Sequence, residues 1–338
     1  MGASAEEAKD RALGALQGLA IGDALGMPTQ TLSPEEIARR YGRVKGFLAP
    51  FEGHPVAHRL PAGTITDDTE QALLLARRLV RGGGFNARAW AQDLLDWEAG
   101  VRARGLRDLL GPSTKRALAA LMAGAGPEET GRQGDTNGAA MRIAPVGIAM
   151  PPEPLGGLID LVEATARITH NTGPAIGAAA AVAAAVSAGV AGAGWPEAAR
   201  LALAAAHEGG KRGATGGADI AARIAQAMAL GRKGAGAAPE IARVIGTGVA
   251  AAQSVPAAFG LVEAAGGDAW AAALLAANLG GDTDTIGAIA GAMAGACLGA
   301  AALPADAVAL VTQVNRLELG PLAEALLARR AAPAEAAT

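Results

Sequence analysis

The chain reads as an all-α protein, and three observations say so. Hydrophobic residues make up 51 % of the 338 positions, yet aromatic residues only 3 %. The apolar content is mostly Ala, with Leu, Val and Ile. Ala is the strongest helix former, while strands favour the β-branched and aromatic residues that are scarce here. Apolar residues recur at helical spacing between Gly and Pro clusters, with no hairpin signal and no fixed repeat period. The 48 glycines let helix backbones approach closely, so tightly packed helices with thin side-chain layers are expected. The length suits one compact domain with a large core. We expect that domain over residues 5–330, with 331–338 a flexible tail.

The elements follow in order. Leu13, Leu16, Leu19 and Ala20 share a face of a first helix over 5–26. The stretch SPEEIARRY, 33–41, is a short helix capped by Ser33 with Pro34 in its first turn. Residues 42–63 carry Gly42, Gly46, Pro50, Gly53, Pro55, Pro61 and Gly63 and read as a long loop. Helices are then expected at about 68–81, 86–99, 114–123, 138–149, 156–168, 174–191, 196–207, 217–230, 238–247, 256–265, 268–277, 284–301, 305–315 and 320–330. Breaks fall at clusters such as Gly82–Gly84 and the EGGKRG run at 208–213.

Charge and composition exclude several functions. A net charge of −3, with basic residues interspersed among acids, gives no nucleic-acid footprint. The single cysteine, Cys297, lies in an apolar segment and reads as a core residue. One cysteine allows no internal disulfide, which fits a reducing, cytoplasmic setting. The N-terminus has early acids and no apolar h-region, unlike a signal peptide. Residues 174–194 and 285–304 lack charges, but their Ala/Gly content marks buried core helices rather than membrane spans.

Two acidic stretches carry the chemistry. In TITDDTEQALLLA, Asp67 and Asp68 precede an apolar run. The plain reading is a helix start, with Asp67 as cap and Glu70 completing a capping box. In NLGGDTDTIGAIAGAMAGACLG, Asp282 and Asp284 again precede an apolar helix, each followed by a threonine. Both helices look buried, which would bring their starts close to the core. Four neighbouring carboxylates cannot all stay ionised without cations. Two divalent ions would balance them, and hard oxygen ligands select Mg²⁺, Mn²⁺ or Ca²⁺ over zinc. The four histidines and one cysteine form no zinc-type cluster. The residues alone do not choose between Thr66 and Thr69, or between Thr283 and Thr285.

Six stretches then carry a family resemblance: GLAIGDALGMPTQ (18–30), AGTITDDTEQAL (62–73), NGAAMRIAPVGI (137–148), ITHNTGPA (168–175), SVPAAF (254–259) and NLGGDTDTIGAIAGAMAGA (278–296). In this order they resemble the signature blocks of the ADP-ribosylglycohydrolase family. Dinitrogenase-reductase-activating glycohydrolase and the ADP-ribosyl-arginine and ADP-ribosyl-serine hydrolases belong to it. The resemblance implies a compact helical fold with two Mg²⁺ or Mn²⁺ ions in a central cleft. It assigns Thr66, Asp67 and Asp68, then Asp282, Asp284 and Thr285, to the metals. It also implies cleavage at C1″ of an ADP-ribosyl group on a protein or small molecule.

The same resemblance assigns further roles. The loop Asn137, Gly138, Ala139, Ala140, Met141 and Arg142 would wrap the distal ribose and diphosphate. A Gly at a helix start also frees backbone N–H groups for an anion. His170 would lie near substrate, and Asp23 would be hydrogen-bonded close to the metals. Asp67, Asp282 and Asp108 are the candidate catalytic acids. Two departures bear on substrate. Gln30 stands where many members carry an acid, and Asp108 sits one residue further from Gly111 than the pattern expects. An N-glycohydrolase acting on a free nucleoside or another small ribosyl compound, with a pocket rebuilt by Gln30, Phe47, Phe51, His54 and His58, is one alternative. A non-catalytic, crystallin-like member is another, and retention of all four aspartates argues against it. Oligomeric state is not readable from the sequence.

Overall fold

The structure is a computed structural model that describes residues 2–82, 84–104 and 111–331. Among the described residues there are seventeen α-helices and no strand, apart from one isolated bridge between Thr136 and Ala250. They are α1 (Ala5–Gly26), α2 (Pro34–Tyr41), α3 (Asp67–Leu79), α4 (Ala87–Ala103), α5 (Pro112–Met122), α6 (Gly138–Met141), α7 (Ala144–Ala149), α8 (Leu155–Ala166) and α9 (Gly173–Val190). After them come α10 (Trp195–Gly209), α11 (Ile220–Gly231), α12 (Ala238–Ile245), α13 (Ala251–Ala264), α14 (Ala269–Ala277), α15 (Thr283–Leu298), α16 (Ala305–Asn315) and α17 (Leu319–Ala331). The expected all-α class is the observed one.

The centre of the fold is the antiparallel pair α1 and α15. Gly14, Gly18, Gly22 and Gly26 recur every four residues and form one stripe on α1. They face Gly295, Gly291, Gly287 and the Thr283 backbone of α15. A Cβ added at Gly14 would sit 2.5 Å from the Gly295 carbonyl oxygen. One added at Gly287 would sit 2.5 Å from that of Gly22. Backbone therefore touches backbone along four turns, with no side-chain layer between. This pairing brings the end of α1, with Asp23, to the start of α15, with Asp282 and Asp284. Beside the pair lies α9, every residue of which is buried. It is long and apolar enough to cross a membrane, and here it is wholly covered by other helices.

Ser33 and Glu36 form the expected capping box of α2. The expected helix over 138–149 is instead two short helices broken at Arg142–Ile143, with Pro145 in the first turn of α7. Helix α13 begins at Ala251 rather than 256, and Pro256 lies inside it. Proline has no N–H to offer the Ala252 carbonyl four residues back. The Arg223 Nε of α11 donates to that carbonyl instead, so a partner from another helix keeps the turn intact.

The loop over 42–63 is packed rather than open. Phe47 meets Trp270 edge-on at 5.8 Å, and the Arg40 guanidinium lies 3.5 Å above the Phe51 ring. His54 Nδ1 accepts from the Ala57 N–H at 2.9 Å, and the Tyr41 hydroxyl accepts from the Phe51 N–H at 2.9 Å. Of the residues expected in the tail, only Ala331 is described, and it ends α17.

Candidate metal centre

The two acidic stretches meet. One carboxylate oxygen from each of Asp23, Asp68 and Asp284 lies within 4.8 Å of the other two. All three residues are buried. Three separate elements supply them: the last turn of α1, the first turn of α3 and the first turn of α15.

None of the helix-start acids caps its helix. Thr66 is the N-cap of α3 and Asp282 that of α15, and neither makes a side-chain cap bond. The capping box expected between Asp67 and Glu70 is absent. Glu70 turns away and accepts from Trp97 Nε1 at 2.8 Å and from Arg104 Nη1 and Nη2 at 2.8 and 2.7 Å. A paired guanidinium outbids a cap, because the charged bidentate bond is stronger. Asp67 and Asp68 are thereby left free for another partner.

Asp23 orients the cluster. Its carboxylate accepts from the Thr66 N–H at 3.0 and 2.9 Å and from the Thr69 N–H at 3.1 Å. The Thr66 and Thr69 hydroxyls are 2.8 and 2.5 Å away. Both threonines beside the acids are therefore in use, and Thr66 also lies 3.2 Å from Asp68 Oδ2. At the other helix the threonines separate. Thr283 donates to the Gly26 carbonyl at 2.9 Å and pairs with Thr29, facing α1. Thr285 is left on the side of Asp282.

Electrostatics make the cluster costly as it stands. Burial raises the Asp68 carboxyl well above its ordinary range, and the charges of Asp284, Asp23, Asp67 and Asp282 add to that. Asp284 is raised by burial and then by Asp282, Asp23 and Asp67. Asp67 is raised by burial, Asp23 and Asp282. Asp282 is raised by burial, with the Asn137 hydrogen bond opposing. Burial pushes Asp23 up to about 6 against the pull of its threonine donors. Asp68 Oδ1 and Asp284 Oδ1 are buried with no hydrogen-bond partner. Orphaned oxygens in a buried, all-oxygen donor set are what a hard divalent cation satisfies. The residues present fit the implied Mg²⁺ or Mn²⁺ group.

A second ring of side chains supports the acids. Asn137 Nδ2 donates to Asp282 Oδ2 at 2.5 Å and to Ser254 Oγ at 2.9 Å. Gln71 Nε2 donates to Asp67 Oδ2 at 3.3 Å, and Gln71 Oε1 accepts from Arg142 Nη1 at 2.7 Å. Arg142 Nη2 donates to the Thr169 hydroxyl at 2.6 Å. His170 pairs with that hydroxyl through Nδ1 at 2.7 Å and with Thr136 through Nε2 at 2.9 Å. Burial, then Arg142 and Arg116, hold the His170 pKa well below its ordinary value, so it is neutral. Burial also lowers Arg142 to about 10. Arg142 and His170 thus form a buried chain that reaches Asp67 through Gln71 and Thr169.

Gly138, Ala139, Ala140 and Met141 form α6 beside Asn137, all buried, and a Cβ on Gly138 would collide with His170. Gln30 is 7 % exposed, and its Nε2 has no partner. Asp108 lies outside the described residues. Sequence reasoning assigned nothing to Gln71, Thr136, Thr169 or Ser254. Each is a single polar residue in an ordinary helical or turn context; Thr136, Thr169 and Ser254 take partners from remote segments, and Gln71 links Asp67 of its own helix to the remote Arg142.

Comparisons with known proteins agree with this fold. The family model described as ADP-ribosylglycohydrolase matches residues 4–336. The chain is 36 % identical over 325 residues to the uncharacterized protein YegU of Escherichia coli (strain K12), covering 94 % of this chain and 96 % of that one. It is 36 % identical over 168 residues to the ADP-ribosyl-[dinitrogen reductase] glycohydrolase of Rhodospirillum rubrum, about half of each chain (48 % and 52 %). A solved ADP-ribosylglycohydrolase-related protein complex superposes with a TM-score of 0.71 at 30 % identity, covering 96 % of this chain and 99 % of that chain. With the family match running almost end to end over a fold whose acids converge as the motifs require, this chain belongs to the ADP-ribosylglycohydrolase family.

Proposed function

We propose that the protein is a metal-dependent hydrolase that releases ADP-ribose from a modified protein or small molecule by cleaving the bond at C1″. The observation that carries the reading is the buried meeting of Asp23, Asp68 and Asp284, with two of their oxygens unpartnered. Thr66, Asp67, Asp68, Asp282, Asp284 and Thr285 would hold two Mg²⁺ or Mn²⁺ ions. When bound, such ions supply charge neutralisation and Lewis-acid polarisation of oxygen ligands. A reducing, cytoplasmic compartment suits the single buried thiol.

The chain's own residues supply orientation and a dry site. Gln71 holds Asp67 and Asn137 holds Asp282, which fixes two carboxylates against the cleft. Either would take a proton from water as its oxygen adds to C1″ and the C1″–N or C1″–O bond breaks, and would then pass that proton to the leaving nitrogen or oxygen. Asn137 and α6, buried as they stand, would form the floor beneath the distal ribose and diphosphate. Val249, 44 % exposed, lies beside it, its carbonyl accepting from the Asn137 N–H at 2.9 Å. An apolar group at that point suits a flat, weakly polar portion of the substrate.

The test is a substrate panel with Mg²⁺ or Mn²⁺: peptides carrying ADP-ribosyl-arginine or ADP-ribosyl-serine, against free nucleosides. Release of ADP-ribose from a peptide, abolished by chelator and by Asp282→Asn, is the expected result. Turnover of nucleosides alone would establish the N-glycohydrolase reading in its place. Metal binding without turnover of any substrate would establish the non-catalytic one.

A further inference from the structure

A cavity of about 1140 Å³ lies on the far side of the Gly280–Gly281 turn from the aspartates. Its volume is that of a small-molecule site. It is separated from the acidic cluster by backbone. The Thr31 N–H donates to the Gly281 carbonyl at 2.7 Å, the Gly281 N–H to the Leu32 carbonyl at 2.9 Å, and the Asp282 N–H to the Thr247 carbonyl at 2.7 Å. Gly280 and Gly281 both have positive φ (81° and 80°), and a Cβ on Gly280 would sit 2.7 Å from Pro34. The intervening turn is therefore held by backbone bonds on both sides, and no aspartate of the cluster lines the cavity.

Its lining has two characters. Leu274, Leu275 and Leu279 on one side, with Pro239 and Ala242 on the other, make an apolar slot. Three cations stand at the lips: Arg43 and Lys45 on one, Arg243 of α12 on the other. Among the described residues none of the three is paired with a carboxylate within ion-pair distance. Asn278 sets the first pair in place. Its Oδ1 accepts from the Val44 N–H at 2.9 Å, and its Nδ2 donates to the Val44 carbonyl at 3.0 Å. Val44 is buried, so its neighbours on either side project outward together at the rim. One acid, Glu35, shares the lining. Glu240 lies within the field of Arg243, so the net positive charge of the lining rests on Arg43 and Lys45, and an apolar slot with that charge at its edge selects a ligand with an apolar body and an anionic end.

We propose that this cavity binds a small organic anion, an aryl or similarly flat apolar group bearing a phosphate, sulfonate or carboxylate. The site shares no residue with the aspartate cluster, so it stands or falls apart from the hydrolase reading.

The test uses 8-anilinonaphthalene-1-sulfonate as probe, titrated by fluorescence against the full chain. The wild type should bind one probe molecule saturably. Phenyl phosphate should displace it, and inorganic phosphate should do so only weakly. Arg43→Gln with Lys45→Gln should weaken binding about tenfold, the scale for removing two surface charges. Ala242→Trp should narrow the slot and abolish binding. Asp68→Asn should leave the titration unchanged. Saturable binding that survives both the charge removal and Ala242→Trp, in variants melting as the wild type does, would overturn the proposal. So would absence of binding to the wild type.

Discussion

Asp68 and Asp284 each bury an oxygen that nothing in the chain satisfies, and both carboxyls are raised by burial and by one another. Asp68→Asn removes one charge from this group. The variant should lose at least about tenfold in Mn²⁺ affinity by calorimetry. Its metal-free melting temperature should be equal to or above that of the wild type, because like-charge repulsion falls. Arg142→Ala should behave oppositely. It strands Gln71 Oε1 in the core and takes one partner from the Thr169 hydroxyl, which keeps His170, so chemical denaturation should show a loss of about 2 kcal/mol. Cys297 is buried and its thiol is pushed up to about 12. Alkylation at pH 8 should therefore require denaturant, whereas labelling of the native chain would contradict the packing. At this scale the sequence singled out the four aspartates because two such acidic helix starts occur together with the family's blocks, whereas either stretch alone reads as a plain helix start. It did not show Thr69 as a donor to Asp23 or Gln71 as the holder of Asp67. The first role exists only once α1 and α3 are assembled, and the second is a contact within α3 that the remote Arg142 orients through Gln71 Oε1.

The α1–α15 pair is where the chain's glycine content becomes structure. A Cβ on Gly291 would press into the Gly18 carbonyl, and neither backbone can move without opening the ladder. Gly291→Ala should cost about 3 kcal/mol, the upper range for overpacking a tight core. It should also weaken metal binding, since the ladder aligns Asp23 with Asp284. Gly46→Ala, with open space around its position, is the control and should melt as the wild type does. Close helix packing was legible from composition; which helices would meet was not. The four-residue spacing of Gly14, Gly18, Gly22 and Gly26, matched by Gly287, Gly291 and Gly295, was the available signal. Helix extents were mostly readable from Gly and Pro punctuation. Besides the break within 138–149, the departure at α13 has a physical cause, since Pro256 reads as a boundary and the Arg223 side chain from α11 serves the carbonyl that it leaves without a donor.

For the whole molecule, the acidic cluster ties folding to pH and to divalent ions. Asp titrates near 3.9 in an unfolded chain, while Asp23 is held at about 6 and its neighbours are raised as well. The folded, metal-free chain thus binds more protons than the unfolded one between these values. Its stability is greatest below about pH 4 with respect to these groups and declines as pH rises through 6. Divalent ions bind the ionised form and reverse the trend. Melting curves should show a stabilisation by Mg²⁺ or Mn²⁺ that is larger at pH 7.5 than at pH 5, reaching about 2.7 kcal/mol at a hundredfold excess over Kd. An equal effect at both values would mean that the ions act elsewhere. The helical class and the convergence of both acidic stretches were foreseeable from the chain, while the packed 42–63 loop and the separate cavity were not, because both depend on Asn278 and Trp270 from a remote segment. The central claim is that two remote acidic helix starts grip divalent ions together. Anomalous diffraction from crystals equilibrated with Mn²⁺ tests it most directly. Mn²⁺ peaks bounded by Asp68 and Asp284 oxygens are the predicted result, and a fully ordered cluster with no Mn²⁺ density between those side chains would contradict it.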